Sequence, residues 1–181
     1  MHRTKIERSE RILVLIFTPQ PGRSIARVSG IAFACMMLAD SVAAGPTAIN
    51  FDGLADGTSV TTQYQAQGVI FTQATAVTAG LSLNELDFPP HSRRNVVFDD
   101  GGVISGVFTS PVVSFGGYFT YTTPFTISGF NQFGNQVASS MSLFANNTAS
   151  FGHTLNEFLK VNYAGGIRSF ILTGSPSEVR Q

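Results

Sequence analysis

The sequence contains no tryptophan, one cysteine and few charged side chains. Charged residues make up only 12% of the 181-residue chain, and after residue 44 there is a single lysine, Lys160. Because exposed helix surfaces are built largely from Glu, Lys, Arg, Gln and Ala, this composition disfavours a helical protein. Phenylalanine, threonine, valine and glycine are abundant instead, and they indicate an all-β fold.

The single cysteine, Cys35, lies in a segment that we expect to be removed from the mature protein. The mature chain would then contain neither a free thiol nor a disulfide, so its stability must come from a hydrophobic core. Phe33 stands where a lipoprotein signal requires a small residue, which argues against a lipid anchor at Cys35.

Motifs for nucleophilic catalysis and for phosphate binding are absent from the sequence. There is no Gly-x-Ser-x-Gly motif, and the glycine pairs are isolated and do not form a phosphate-binding loop. After residue 44 the only histidines are His91 and His153, both in polar segments where a solvated side chain is the commoner role. The sequence therefore indicates a protein that is not an enzyme.

Residues 45–181 carry five Lys/Arg and eight Asp/Glu, a net charge of −3. Nucleic-acid binding needs a basic surface, so this balance argues against a nucleic-acid partner. It is neutral with respect to glycans and compatible with calcium.

Residues 1–44 resemble a secretory signal peptide with an unusually long N-terminal region. Basic residues accompany two apolar runs, Ile12–Phe17 and Ile31–Leu38, and Val42 and Ala44 satisfy the small-residue rule for cleavage before Gly45. The second run is too short to span a membrane, and a buried core helix is the alternative. We expect export, with no transmembrane helix in the mature chain.

Residues 45–174 show short apolar runs separated by turn signals, which predict about nine strands. We expect an all-β domain, a two-sheet antiparallel sandwich of jelly-roll type, followed by a disordered tail at 175–181. The alternative is an immunoglobulin-like sandwich, which the lack of a Cys…Trp…Cys pattern disfavours. The strands are expected at Ala48–Asp52, Gly68–Gln73 (which Ala74–Ala79 continues or pairs with), Asn95–Phe98, Val103–Thr109, Val113–Tyr121, Phe125–Asn131, Gln136–Phe144, Glu157–Tyr163 and Ile167–Thr173.

Turn signals between these runs predict three hairpins. The turns lie at 99–102, 131–135 and 164–166, where Asp, Asn and Gly supply the required backbone conformations. Alternation along the strands predicts a core that includes Val113, Phe115, Phe119, Phe125, Ile127, Leu159, Val161 and Ile171.

Acidic side chains at strand ends and in turns are candidate ligands for a structural Ca²⁺, which prefers carboxylate and carbonyl oxygens. Asp52 and Asp56, around the turn at 53–56, form the first candidate site, and Asp99 with Asp100 forms the second. The alternative is that these residues serve only as turn formers.

Tyrosine rings and nearby carboxylates are candidate carbohydrate contacts. Tyr64 and Tyr118 could stack on sugar rings, with Glu85 and Asp87 as polar neighbours, although tyrosines in strands often belong to the core. A glycan-active hydrolase or lyase is the catalytic alternative, and it would require Glu85, Asp87 and His91 to line one groove.

Four segments together resemble exported bacterial proteins of the PEP-CTERM type. They are INFDGLADGTSVTTQYQAQGVIFT (49–72), SLNELDFPPHSRRNVVFDDGG (82–102), SPVVSFGGYFTYTTPFTISGFNQFGNQV (110–137) and NEFLKVNYAGGIRSFILTG (156–174). The resemblance implies export from a Gram-negative bacterium to the cell surface, the extracellular space or the periplasm, and a β-sandwich of galactose-binding-like shape. It also implies an association with exopolysaccharide and the biofilm matrix, but no defined activity.

The end of the sequence departs from this family pattern. The family continues with an aromatic-x-Asp-Asp-Leu strand and a C-terminal sorting tail, whereas here Gly174 is followed by SPSEVRQ. The alternatives are a natural soluble variant, a frameshift or early stop, and a truncated gene model; a missing last strand would leave an open sheet edge and remove potential Ca²⁺ ligands. We therefore expect an exported, non-catalytic protein of the cell surface or matrix that contacts exopolysaccharide. The alternatives are a glycan-active enzyme and an inert spacer.

Overall fold

The computed structural model describes residues 15–20, 45–99 and 102–174. This part of the chain is all-β, with nine strands and two short 3-10 turns at Gln65–Gln67 and Ala149–Phe151. The strands are β1 (Leu15–Pro19), β2 (Thr47–Ile49), β3 (Val69–Thr72), β4 (Ala74–Thr78), β5 (Asn95–Asp99), β6 (Ile104–Phe119), β7 (Phe125–Phe130), β8 (Gln136–Met141) and β9 (Glu157–Gly174).

Two antiparallel sheets of unequal size form the fold. Seven of the described strands make one sheet in the order β2-β1-β6-β9-β7-β8, with β3 also paired to β6, and β4 and β5 make the other. Ala76 of β4 and Val97 of β5 share one buried cluster with residues of the large sheet. The predicted all-β, two-sheet antiparallel architecture is confirmed.

The large sheet is built on two long strands, β6 and β9, which pair along almost their whole length. The other edge of β6 carries β3 along residues 105–108 and β1 along residues 112–117. Strand β6 therefore pairs with β1 and β3 along one edge and with β9 along the other.

The strand pairing differs from two of the three predicted hairpins. Strand β5 pairs with β4 and β6 pairs with β3, so the hairpin across residues 99–102 is wrong. The third hairpin, at 164–166, is wrong because β9 runs through these residues as one strand. Gly166 has φ +92° there, and the β6–β9 register shifts on both sides of Val112, so the glycines form a bulge rather than a turn.

The remaining hairpin is confirmed, because β7 and β8 pair across residues 131–135. The side-chain oxygen of Asn131 accepts hydrogen bonds from the amides of Phe133 and Asn135, and Gly134 adopts φ +79°. Strands β6 and β7, which follow each other in the sequence, are separated in the sheet by β9.

Phenylalanine side chains dominate the core. Six of the eight predicted core residues are buried, namely Phe115, Phe119, Phe125, Ile127, Leu159 and Val161. Val113 and Ile171 are only half-buried, and Val112 and Leu172 take the core positions instead. The register is irregular between Val112 and Ser114 of β6 and between Asn162 and Ile167 of β9, and such irregularities turn the following side chains to the opposite face.

A second, smaller cluster covers the other face of β4 and β5. Leu83 and Phe88, from the loop that follows β4, pack against Val77 and Val96. The small sheet is therefore buried on both faces, and the loop at 79–94 is fixed against it.

Strand β1 lies within the segment 1–44 for which a signal peptide is expected. It is inserted between β2 and β6, and the Phe17 side chain is only 2% exposed. Cys35, Ile31–Leu38, Ala44 and the tail at 175–181 lie outside the described residues. Signal cleavage stays a prediction.

Among the residues that the structure describes, no helix has the length and apolar character needed to cross a membrane.

Candidate functional site

Three rings meet on the outer surface of the large sheet. The His91 ring stacks on the Tyr118 ring with centroids 3.5 Å apart and an interplanar angle of 13°. Phe158 contacts the same tyrosine at 4.9 Å and is 44% exposed. We call His91, Tyr118 and Phe158 the aromatic patch. His91 and Phe158 are exposed, so their rings are available for stacking on a ligand ring.

The pairing of β6 with β9 explains why two of the rings meet. Tyr118 lies directly opposite Phe158, and in an antiparallel pair such residues project from the same face. Their neighbours Phe119 and Leu159 point the other way, into the core. The strand alternation thus anchors the sheet on one face and presents the patch on the other.

His91 reaches the patch from the loop at 79–94, which the Asp52 carboxylate holds in place. This carboxylate accepts hydrogen bonds from the backbone amides of Arg93, Arg94 and Asn95 at 3.0–3.2 Å. The Ser92 hydroxyl donates a fourth, at 3.1 Å. Burial acts to raise the Asp52 pKa, but these four donors outweigh burial and hold the pKa below its usual value.

Contacts with the loop at 145–156 hold the same segment from the other side. The amide of Ala149 donates to the backbone oxygen of Asp87 at 3.2 Å, and the Asp87 carboxylate accepts from the Ser150 hydroxyl. The Asn156 side chain donates to the backbone oxygen of Pro89 at 3.2 Å. His91 is therefore presented by a loop that is fixed at both ends.

Cationic side chains flank the patch. Lys160 is exposed and lies opposite Gly116, two residues along the sheet from the Tyr118–Phe158 pair and on the same face. Arg93 and Arg94 are exposed and follow His91 in the chain. Lys160 thus adds a positive charge to the sheet face that carries Tyr118 and Phe158.

The predicted calcium ligands act mainly as hydrogen-bond acceptors within the protein. The four donors to Asp52 occupy lone pairs that a cation would need, and Asp56 accepts from the Thr78 amide and the Ser82 hydroxyl. Within the described ranges no group of three or more His, Cys, Asp or Glu side chains is placed to hold a metal ion. Asp99 ends β5, and Asp100 lies outside the described residues. A bound Ca²⁺ stays a prediction.

The two tyrosines predicted as ligand contacts lie in different surroundings. Tyr118 belongs to the patch, whereas Tyr64 is only 8% exposed and packs edge-on against Phe51, with its hydroxyl donating to the Asn50 backbone oxygen. Because Tyr64 is buried, its ring offers no face to a surface ligand, and this corrects its assignment as a ligand contact.

The carboxylates proposed for catalysis have separate partners. Glu85 accepts from the Gly80 amide at 3.2 Å, and Asp87 accepts from the Asn84 side-chain amide at 3.2 Å, while His91 stacks on Tyr118. These contacts give no support to a shared catalytic groove.

Sequence reasoning missed two members of the patch, His91 as a stacking partner and Phe158. Alternation in β9 marks Phe158 as outward-facing, but only the pairing with β6 brings it to Tyr118. His153 makes a similar stack on Phe144, with centroids 4.4 Å apart. Neither histidine stack has a sequence signal, because each depends on how a loop folds back.

Comparison with protein-family models, curated proteins and solved structures finds no match to this chain.

Proposed function

We propose that this is an exported, non-catalytic protein of the cell surface or extracellular matrix that contacts polysaccharide through the aromatic patch. The observation that carries the proposal is the stacked His91–Tyr118 pair with Phe158 beside it on an exposed sheet face. Sugar rings present C–H groups that pack on aromatic faces. The export and the PEP-CTERM type are proposed from the N-terminal segment and the four resembling segments.

The fixed geometry of the patch favours binding. Asp52 and the loop at 145–156 hold the His91 loop, so little conformational entropy is lost when a ligand stacks on the rings. The flanking Lys160 favours a polysaccharide that carries carboxylate or sulfate groups over a neutral one.

Affinity electrophoresis of the full chain through gels that contain neutral or acidic polysaccharides tests this function. We expect at least one polysaccharide to retard the protein, acidic ones more strongly, and no release of reducing ends from any of them. Migration unaffected by every polysaccharide would favour an inert spacer. Release of reducing ends would assign a glycan-active enzyme and contradict the proposal.

A further inference from the structure

We propose that the gap between β2 and β6 is a binding site for an extended peptide strand, which residues 15–20 of the same chain fill. The ligand class is a β-strand with an aromatic side chain at the position of Phe17 and a glutamine three residues later. The proposal is independent of polysaccharide binding.

The backbone of the inserted segment pairs on both sides. Phe17 lies opposite Phe115 of β6 and Thr47 of β2, so the segment completes two antiparallel ladders. After Pro19, the amide of Gln20 donates to the backbone oxygen of Pro111 at 3.0 Å. Backbone pairing of this kind supplies affinity in strand addition, and side-chain pockets supply specificity.

Phe17 supplies the side-chain recognition. Its ring lies 5.2 Å from the Phe108 ring, and a Cβ atom added to Gly68 would come within 3.3 Å of it. The site is therefore shaped for a large aromatic side chain and closely packed around it.

Gln20 provides a second point of recognition, at the bulge in β9. Its side-chain amide donates to the backbone oxygen of Ala164 at 3.4 Å. A Cβ atom at Gly166 would lie 2.6 Å from the Gln20 side-chain oxygen, so this glycine leaves the space that the glutamine occupies. The bulge in β9 thus contacts Gln20, the residue after the inserted strand.

Strand β2 depends on the inserted segment. Among the described strands β2 pairs with β1, and through β1 it joins the rest of the large sheet. Withdrawal of residues 15–20 would leave unpaired edges on β2 and β6 and a cavity of phenylalanine size. Removal of residues 1–44 during export, before the mature chain folds, would leave this site open.

Nicking of the folded full chain tests the proposal. A site for a sequence-specific protease is inserted between Ser29 and Gly30, and the cut protein is passed through a gel-filtration column in native buffer. We expect the 1–29 fragment to co-elute with the remainder. Excess synthetic peptide of residues 12–21 should displace it, and the same peptide with Phe17→Ser should not. Separation of the fragments in native buffer, with the β circular dichroism of the remainder unchanged, would overturn the proposal.

A disulfide test in the intact chain covers the case in which nicking disturbs folding. In a Cys35→Ser background, Thr18→Cys with Ser114→Cys joins residues that lie directly opposite each other, within the Cα separation that a disulfide needs. The control pair is Thr18→Cys with Ser105→Cys, which lies on the same strand but pairs with Thr72. We expect oxidation to cross-link only the first pair. Equal cross-linking of both pairs, or of neither, would contradict the insertion.

Discussion

At the scale of single residues, Asp52 holds the loop that brings His91 to the aromatic patch. Its position after β2 and before a glycine turn suggested a calcium ligand, a role that the residue type and spacing allow. The structure instead directs three backbone amides and a hydroxyl at this carboxylate. Those donors come from residues 92–95, about forty positions away in the sequence, so no local pattern could reveal them.

We predict that Asp52→Asn lowers the free energy of unfolding at pH 7 by about 1 kcal/mol. The loss arises because the hydrogen bonds to the carboxylate are charge-assisted, and it stays small because the carboxylate is partly exposed. The pKa of Asp52 is lowered in the folded state, so its contribution is present above about pH 4 and is lost as the pH falls through the folded value. Urea unfolding at pH 7 and pH 3 should therefore show a smaller acid-induced loss in the variant. Identical pH dependence of variant and wild type would contradict this role.

Tyr121 gives the complementary prediction at alkaline pH. Burial, together with its hydrogen bond to Glu157, raises the pKa of Tyr121 to about 12. Because the Tyr121 pKa is higher in the folded than in the unfolded protein, the protonated hydroxyl contributes its full stability below the unfolded pKa near 10. That contribution is lost as the pH rises toward 12. Between pH 8 and pH 11, the free energy of unfolding should therefore fall less in Tyr121→Phe than in wild type. Burial also raises the pKa of Tyr64, so the free energy of unfolding should still fall somewhat at alkaline pH in both proteins. An equal fall in wild type and Tyr121→Phe would contradict a raised pKa of Tyr121.

At the scale of elements, the long pair β6–β9 positions Tyr118 and Phe158. The period-two alternation of Phe115 and Phe119 predicted a strand and its core face correctly. It could not predict that β9 lies between β6 and β7, because pairing depends on the whole set of strands competing for one core. The glycines at 165–166 suggested a turn, and a bulge satisfies the same backbone preferences within a continuous strand.

Close contact between β6 and β9 at Gly116 supplies a prediction at this scale. A Cβ atom at Gly116 would lie 2.5 Å from the Leu159 backbone oxygen and 3.0 Å from the Lys160 Cα. We expect Gly116→Ala to force the strands apart and to lower the free energy of unfolding by about 1–3 kcal/mol. The control is Gly53→Ala, because Gly53 has no atom within 4 Å of an added Cβ.

Thermal and urea unfolding measure the free energy of unfolding of both glycine variants. The control should stay within about 0.5 kcal/mol of wild type, as surface substitutions usually do. Equal stability of Gly116→Ala and Gly53→Ala would mean that the strands do not approach as closely as described.

At the scale of the whole molecule, composition and alternation were sufficient to predict an all-β, two-sheet protein with about nine strands. They were insufficient for the strand from the N-terminal segment, because the run Ile12–Phe17 among basic residues also suits the long N-terminal region of a signal peptide. Of the predicted ligand contacts, Tyr118 is in the patch and Tyr64 is in the core. Tyr64 follows a polar segment and Tyr118 lies in an alternating strand, and neither context shows that packing buries the first ring and leaves the second at the surface.

The most direct test of the account is the dissociation constant for the polysaccharide that retards the full chain most strongly, measured for wild type, Tyr118→Ala and Phe133→Ala. Phe133 is 76% exposed on the β7–β8 turn and outside the aromatic patch, so its variant is the matched control. We expect Tyr118→Ala to weaken binding on the order of tenfold, about 1.4 kcal/mol, and Phe133→Ala to leave it unchanged, with both variants folded by circular dichroism. Equal affinity of Tyr118→Ala and wild type would contradict the assignment of the aromatic patch as the polysaccharide-binding surface.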